Sequence, residues 1–310
     1  MWAIQIERTG GPEVMTWTEL PDPLAGPGEL VVETGAAGLY FVGTYQRTGL
    51  DPVEMPYVLG LEGAGTVIET GDGVDGVAVG DRVAWAASPG SYAERVKVPA
   101  ASVMVVPPDT DWDTAATVPL QGMTAHFLAT DTFPLMPGDR CLIHAGAGGV
   151  GLLLIQIAKM RGAEVFTTVG SPEKAELATV AGADHTILYR DVDFAEAVTE
   201  LAGDRPVDVV YDGVGKAVFA QSLSVIRPRG MMVTFGNASG PVDPISPLEL
   251  SANGSLSLTR PTLFHHIASH EEMQHRADEL FEWVEAGDLD VRIGERFAMR
   301  DAAEAHRALE

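Results

Sequence analysis

Three glycines at positions 146, 148 and 151 are the residues whose spacing indicates chemistry most directly. They form the pattern Gly-x-Gly-x-x-Gly, which follows an apolar run at 140–144 and leads into another at 152–158. Between a strand and a helix, such glycines permit a tight turn, a close backbone approach to a pyrophosphate and close packing of the helix on the strand. The positive N-terminus of the helix favours the anion. The pattern therefore predicts a dinucleotide-binding turn.

The residues after the second predicted strand, 163–170, bear on which dinucleotide binds. A free adenosine ribose normally meets an Asp or Glu at this point, but the chain has Gly170 and Ser171. Ser171 and Pro172 are typical of a helix N-cap and first turn, and Lys174 follows. Because the chain has few lysines, we interpret Lys174 as a ligand of a 2′-phosphate, which favours NADP(H) over NAD(H). In the alternative, Lys174 is a solvated residue that pairs with a nearby acid.

Two kinds of patterning surround these residues and predict two domains. Before residue 120, short strands are separated by glycine- and proline-containing turns, which indicates a β-rich domain; the strands are predicted at 29–34, 65–70, 81–86 and 92–98. From residue 140, strands and helices alternate, which predicts a doubly wound parallel sheet; the segments are 140–144, 163–170, 171–182, 185–189, 207–212, 219–226 and 231–236. Two amphipathic helices, 270–286 and 300–309, are expected to pack back on the first domain.

The composition is that of a globular α/β protein. The chain has 310 residues, of which 46% are hydrophobic, and its one cysteine, Cys141, lies in the apolar strand. A lone cysteine excludes an intrachain disulfide and fits a reducing cytoplasm. We find no basic segment followed by an apolar run at the start, and no run of 18 apolar residues, so we expect neither export nor a membrane span.

The charge is strongly negative. There are 44 acidic and 20 basic residues, for a formal net charge of −24. Such a surface makes nucleic acid a poor partner. Two explanations for the acidity stay open: adaptation to high salt, or a solvated acidic face without a salt requirement.

Motifs along nearly the whole chain resemble those of one family. They are Gly10-Gly11-Pro12-Glu13, Leu59-Gly60-Leu61-Glu62-Gly63-Ala64-Gly65, Gly80-Asp81-Arg82-Val83, Leu120-Gln121-Gly122-Met123-Thr124-Ala125, the glycine turn itself, Tyr211-Asp212-Gly213-Val214-Gly215, Phe235-Gly236-Asn237-Ala238-Ser239-Gly240 and Leu258-Thr259-Arg260-Pro261. In this order they resemble the zinc-independent, zeta-crystallin-like quinone oxidoreductases of the medium-chain dehydrogenase/reductase superfamily. The resemblance implies a GroES-like catalytic domain at 1–118 and 258–310, a Rossmann domain at 119–257, NADPH in the cleft, and a homodimer joined through edge strands of the Rossmann domains.

The resemblance also implies site residues. It suggests that the nicotinamide half of the cofactor contacts Gln121, Thr124, Phe235, Gly236, Asn237 and Ser239. The pyrophosphate would contact Gly148, Gly149, Val150 and Gly151. The 2′-phosphate would contact Gly170, Lys174 and Tyr189, and Ser171 directly follows the first of these. Tyr45 matches the family tyrosine that lines the substrate cleft.

The positions of zinc ligands in related dehydrogenases carry other residues here. Zinc-dependent relatives have a cysteine and a histidine where this chain has Tyr40 and Leu61, and one cysteine cannot form a four-cysteine lobe. The histidine-rich run 265–275 places His270 and His275 five residues apart, whereas two ligands on one helical face need a spacing of four. We therefore expect no metal.

Without a Lewis acid, the acceptor must already be electrophilic, which favours a quinone or an activated enone. We predict a cleft bordered by Tyr40, Tyr45 and Thr124, in which the Tyr45 hydroxyl bonds the acceptor oxygen and relays a proton. Relatives commonly have Asn in place of Tyr40 and an acid in place of Gly43, which changes the pocket floor. The alternatives are an enoyl-thioester reductase, for which we see no Lys/Arg cluster, and a non-enzymatic crystallin-like or RNA-binding protein.

Overall fold

The computed structural model describes residues 1–86, 88–203 and 206–310. The strands within these residues are β1 (Trp2–Ile6), β2 (Thr16–Glu19), β3 (Glu29–Ala37), β4 (Tyr57–Val58), β5 (Gly63–Thr70), β6 (Arg82–Trp85), β7 (Arg95–Pro99), β8 (Val103–Val105), β9 (Arg140–His144), β10 (Glu164–Val169), β11 (His185–Leu188), β12 (Val207–Asp212), β13 (Ile226–Thr234) and β14 (Ser257–Thr259). The α-helices are α1 (Phe41–Thr48), α2 (Trp112–Thr117), α3 (Met123–Phe127), α4 (Gly149–Met160), α5 (Pro172–Val180), α6 (Phe194–Ala202), α7 (Phe219–Ser224), α8 (Pro247–Ala252), α9 (Leu263–His266), α10 (His270–Ala286) and α11 (Ala302–Leu309).

The chain divides into two units, of which unit 1 comprises Met1–Met123 and Ile267–Glu310. Its larger sheet is antiparallel with strand order β7-β3-β5-β6-β8, and a smaller sheet has the order β2-β1-β4. In β7, Val96 and Val98 are buried while Lys97 is exposed, the alternation expected of a strand with one face on a core. Helix α10 contacts β8 within this unit. The expectation of a β-rich first half is confirmed.

Unit 2 comprises Thr124–His266 and contains a six-stranded parallel sheet. Its strand order is β11-β10-β9-β12-β13-β14, so the order reverses between β9 and β12. Strands covered by helices on both faces read as continuous apolar runs, and every residue of β12 is buried. Ligands of such sheets bind beyond the carboxyl ends of the strands at the reversal. The predicted doubly wound sheet is confirmed.

Most predicted element bounds agree with the structure within two residues, with three differences. The strand predicted at 29–34 extends to Ala37, and the strand predicted at 231–236 begins five residues earlier, at Ile226. The strand predicted at 92–98 begins at Arg95. Residues 92 and 93 pair elsewhere instead: the Tyr92 N–H donates to the Leu59 carbonyl oxygen, and Ala93 forms an isolated bridge with Ala3. Because those partners are remote in sequence, the apolar pattern alone extends the predicted strand too far.

A helical segment with two π-helical turns runs from residue 112 to residue 132. It begins with α2, whose N-cap Asp111 accepts a hydrogen bond from the Thr114 N–H, and continues through a π turn at Val118–Gly122, α3 and a second π turn at Leu128–Thr132. Such turns are frequent at functional sites. Gln121 lies in the first π turn and Thr124 in α3.

Candidate functional site

The glycine turn lies at the carboxyl end of β9, as predicted. The strand ends at His144, and α4 begins five residues later at Gly149. Ala145 has a left-handed backbone (φ 54°), which costs about 1–2 kcal/mol for an L-residue. The N-cap residue, Gly148, supplies no side-chain hydrogen bond to the first turn of α4. The N-terminal N–H groups of this 12-residue helix are therefore not capped by a side chain, as an anion site requires.

Close packing explains why glycines occupy this turn. A Cβ at Gly146 would overlap with Thr167 Oγ1, and a Cβ at Gly151 would overlap with the Ala145 carbonyl oxygen. Thr167 cannot easily move away, because its buried hydroxyl donates a 2.7 Å hydrogen bond to the Ile143 carbonyl oxygen. The helix thus starts directly against the sheet, and the residues present fit a bound pyrophosphate.

His144 adds a buried polar network beneath the turn, which sequence reasoning missed. Its Nδ1 lies 2.8 Å from Thr168 Oγ1 and its Nε2 lies 2.8 Å from Ser222 Oγ. Burial lowers the pKa of the imidazole to about 3, so the ring is neutral at ordinary pH. One ring therefore joins β9, β10 and α7, and both of its nitrogens have partners.

The carboxyl end of β10 brings together the residues predicted around a 2′-phosphate. Ser171 is the N-cap of α5 and accepts a 3.3 Å hydrogen bond from the Lys174 N–H, which confirms the predicted cap. A Cβ at Gly170 would lie 3.1 Å from Tyr189 Oη and 3.4 Å from Arg190 Nε. Tyr189 and Arg190 follow β11, the strand next to β10, and both are exposed.

Arg190 is a second basic residue at the carboxyl end of β10, in addition to Lys174. It was not identified from the sequence. In the part of the chain that the structure describes, neither Arg190 nor Lys174 forms an ion pair with a carboxylate. The alternative in which Lys174 pairs with a nearby acid is therefore not observed there. Arg190 belongs to no sequence motif; the only available signal is its position directly after Tyr189.

A loop at the carboxyl end of β13, tied to the loop after β12, holds four more of the predicted cofactor residues. The Ser239 hydroxyl donates to the Val214 carbonyl oxygen and accepts from the Ala217 N–H, at 2.8 and 2.9 Å. The Ser239 N–H also donates to Val214 O at 2.8 Å. Phe235, Gly236 and Asn237 precede it on the same loop, and all three are half-buried. Ser239 thus ties the two loops together, and its side chain has partners inside the protein.

In unit 1, Gln121 and Tyr40 lie beside a buried carboxyl group, that of Glu62. Glu62 Oε2 accepts a 2.8 Å hydrogen bond from the Leu120 N–H, and Oε1 lies 3.3 Å from Gln121 Nε2. Burial raises the pKa of Glu62 to about 8, against these hydrogen bonds, which lower it. The Tyr40 hydroxyl accepts a 2.7 Å hydrogen bond from the Leu61 N–H. Burial, and secondarily the nearby Glu62 charge, raise the pKa of Tyr40 well above its ordinary value.

Tyr45 and Thr124, the other two predicted catalytic residues, are both half-buried. Tyr45 lies on α1, and its ring is 6.3 Å from that of Phe41, at an angle of 40°. Thr124 lies on α3. The roles of Tyr40, Tyr45 and Thr124 in the reaction stay predictions.

The histidine-rich segment has contacts of another kind. His266 stacks on Phe127 with ring centroids 4.1 Å apart, and His275 lies 3.7 Å from Glu279. Across residues 1–86, 88–203 and 206–310, no group of three or more His, Cys, Asp or Glu is arranged to hold a metal ion. Over the same ranges, no helix combines the length and apolar character needed to cross a membrane.

Comparisons with known proteins agree with this arrangement. Residues 26–108 match the model of the alcohol dehydrogenase GroES-like domain, and residues 149–285 match that of the zinc-binding dehydrogenases. A quinone oxidoreductase of Pseudomonas aeruginosa is 44% identical over 308 residues, covering 99% of this chain and 95% of that protein. The chain belongs to the quinone oxidoreductase family of the medium-chain dehydrogenase/reductase superfamily.

Two further similar proteins extend the comparison. A 2-haloacrylate reductase of Burkholderia is 42% identical over 313 residues, covering 98% of this chain and 94% of that protein. The solved structure of Escherichia coli quinone oxidoreductase complexed with NADPH superposes with a TM-score of 0.98 at 38% identity, covering 100% of this chain and 96% of that one. The resemblance found from the sequence motifs is confirmed.

Proposed function

We propose that this protein is an NADPH-dependent quinone reductase, which transfers reducing equivalents from NADPH to a quinone. The observation that carries the proposal is the site at Gly170. The position where an acid would meet a free ribose is a glycine. Arg190 Nε lies 3.4 Å from a Cβ placed at this glycine, and Lys174 lies in the first turn of α5, which follows it; neither basic residue has a carboxylate partner among the described residues. That arrangement suits a phosphate on the ribose. Its relative from E. coli, complexed with NADPH, supports the proposal.

The cofactor would be held at three places. Backbone N–H groups at Gly149, Val150 and Gly151 would bind the pyrophosphate at the uncapped start of α4, beside Gly148. Ser171, Lys174, Tyr189 and Arg190 would bind the 2′-phosphate beside Gly170. The nicotinamide half would lie along Phe235, Gly236, Asn237 and Ser239, with Gln121 and Thr124 as further neighbours.

NADPH, when bound, supplies the hydride for the reduction. Tyr45 would donate a hydrogen bond to the acceptor oxygen and pass it a proton. Glu62 would orient Gln121, because its carboxyl group accepts hydrogen bonds from both the backbone of Leu120 and the Gln121 side chain. We propose that no zinc takes part, since Tyr40 and Leu61 stand where zinc-dependent relatives have ligands.

Reduction of an activated alkene is the second candidate. It is supported by the 42% identity to a 2-haloacrylate reductase, and it would use the same cofactor site. We further propose a cytoplasmic homodimer that does not bind nucleic acid. The acidic composition of the chain, with a net charge of −24, supports the proposal that it does not bind nucleic acid. The boundaries of the catalytic domain (1–118 and 258–310) and of the Rossmann domain (119–257) stay predictions.

The test is NADPH oxidation, followed by nicotinamide absorbance, with ortho- and para-quinones, simple enones, 2-haloacrylates and crotonyl-CoA as acceptors, at low and high salt. Turnover of quinones with NADPH, and much slower turnover with NADH, is the expected result. Turnover of alkenes alone would support the second candidate. Tight binding of NADPH without turnover of any acceptor would contradict an enzymatic role.

A further inference from the structure

Arg260 lies where the carboxyl ends of three neighbouring strands of unit 2 meet. Asp212 ends β12, Thr234 ends β13, and Arg260 directly follows β14. The register of the parallel sheet places Asp212 opposite Thr234 and Val233 opposite Thr259. This is the edge of the sheet where the turn after β13 begins.

The guanidinium of Arg260 binds that turn at several points. Nη1 donates to the Gly236 carbonyl oxygen at 3.0 Å and to Thr234 Oγ1 at 3.2 Å. With the Asn237 side-chain amide in the orientation that pairs donors with acceptors, its oxygen lies 3.0 Å from Arg260 Nη2 and its nitrogen lies 2.9 Å from Gly236 O. A planar guanidinium can hold such divergent acceptors at once, which a lysine cannot.

Asp212 holds the same turn from its other side. The Asp212 carbonyl oxygen accepts hydrogen bonds from the N–H groups of Phe235 and Gly236, at 2.8 and 3.3 Å. A Cβ at Gly236 would overlap with the carbonyl oxygen of Gly213, so the turn packs directly on the neighbouring loop. Residues 235–237 are therefore fixed between the end of β12 and the Arg260 side chain.

We propose that Arg260 is the positioning residue for the nicotinamide end of the cofactor, acting through the turn 235–237. This inference rests on the proposed function, because that function places the nicotinamide half along this turn. Arg260 bonds the turn beside which the nicotinamide half is proposed to lie, so its loss should impair NADPH and NADH equally. Variants at Lys174 or Arg190 should instead impair NADPH alone.

The first experiment is amide hydrogen exchange on the cofactor-free protein, which does not depend on any activity. In Arg260→Gln, exchange in the peptide covering 235–240 should be about tenfold faster, while the peptide covering 146–151 should be unchanged. Thr234→Val removes one of the acceptors of Arg260 and should also make exchange at 235–240 faster. This second variant tests the proposal if Arg260→Gln does not fold. The matched control is Arg227→Gln, which removes an arginine paired with Asp208 at 2.5 Å, at the opposite end of β13.

The second experiment measures NADPH and NADH binding and single-turnover hydride transfer. In Arg260→Gln, hydride transfer should fall by about 10- to 100-fold with both cofactors, because small misplacements of reacting groups have effects of that size. Arg260→Lys should recover part of the loss. If Arg260→Gln exchanges its amides at 235–240 as slowly as the wild type, or transfers hydride at the same rate as Arg227→Gln, the proposal is overturned. A wild-type protein that reduces no acceptor would contradict the proposed function, while the exchange result would still decide whether Arg260 holds the turn.

Discussion

Glu62 Oε2 accepts a 2.8 Å hydrogen bond from the backbone N–H of Leu120, 58 residues further along the chain. The contact joins the segment before β5 to the π turn that contains Gln121. The carboxyl group is fully buried. An ionisable group in such a position makes the stability of the protein depend on pH.

Glu62 should destabilise the fold as the pH rises from about 4.5 to about 8. Burial raises its pKa in the folded protein from 4.5 to about 8, so in this range the folded protein keeps a proton that the unfolded chain releases. The free energy of unfolding contributed by this group therefore falls with increasing pH, by at most about 1.4 kcal/mol per pH unit. Glu62→Gln should lack this dependence. Urea unfolding at several pH values across this range checks the prediction, and Glu33→Gln, which changes an exposed residue of β3, is the control. If the free energies of unfolding of wild type and Glu62→Gln change with pH in parallel, the prediction is wrong.

Tyr40 and Tyr45 should respond differently to the loss of their hydroxyl groups. Tyr40→Phe leaves the Leu61 N–H without its acceptor in a buried position, which should cost about 1–3 kcal/mol of stability. Tyr45→Phe should lower kcat with quinone by about 10²-fold or more, since it removes the proposed proton donor. Thermal unfolding and steady-state kinetics of both variants test this. If Tyr45→Phe turns over quinone as fast as the wild type, Tyr45 is not the proton donor and only lines the pocket.

Gly146→Ala should weaken cofactor binding. The added methyl group would overlap with Thr167 Oγ1, so either the turn or β10 must shift, at a cost of about 1–3 kcal/mol for overpacking. Calorimetry should show a larger Kd for NADPH, together with a lower Tm. Gly294→Ala is the control, because the nearest atom to its added Cβ, within the described residues, is a flexible arginine nitrogen 3.6 Å away.

Lys174 and Arg190 should together set the preference for NADPH. Charge-assisted hydrogen bonds to a phosphate contribute about 1.5–3 kcal/mol. Lys174→Ala and Arg190→Ala should therefore each raise the Kd for NADPH about 10- to 100-fold and leave that for NADH unchanged. Lys97→Ala, on β7 of unit 1, serves as control. If Arg190→Ala binds NADPH as tightly as wild type, Arg190 is not a ligand of the 2′-phosphate.

The sequence by itself determined the elements that carry the cofactor turn and much of the candidate site. The order β9-α4-β10-α5-β11 follows from local patterns: apolar runs of strand length, glycines at fixed spacing, and the Ser171-Pro172 start of a helix. Such signals lie within a few residues of one another, so they can be identified without knowledge of the fold. Lys174 is predicted from the same helix start, and Tyr189 from the family resemblance; their role at the cofactor stays a prediction.

Only the tertiary structure decided which isolated polar residues support that site. His144 and Arg190 belong to none of the family motifs, and the motifs that contain Glu62 and Arg260 do not indicate what those residues contact. The neighbours of all four lie between 20 and 80 residues away along the chain. Strand order and register bring them together: β14 lies beside β13, so Arg260 reaches Gly236, and β11 lies beside β10, so Arg190 reaches Gly170. A hydrogen bond depends on distances of about 3 Å between atoms, and for residues remote in sequence those distances exist only once the sheet has formed.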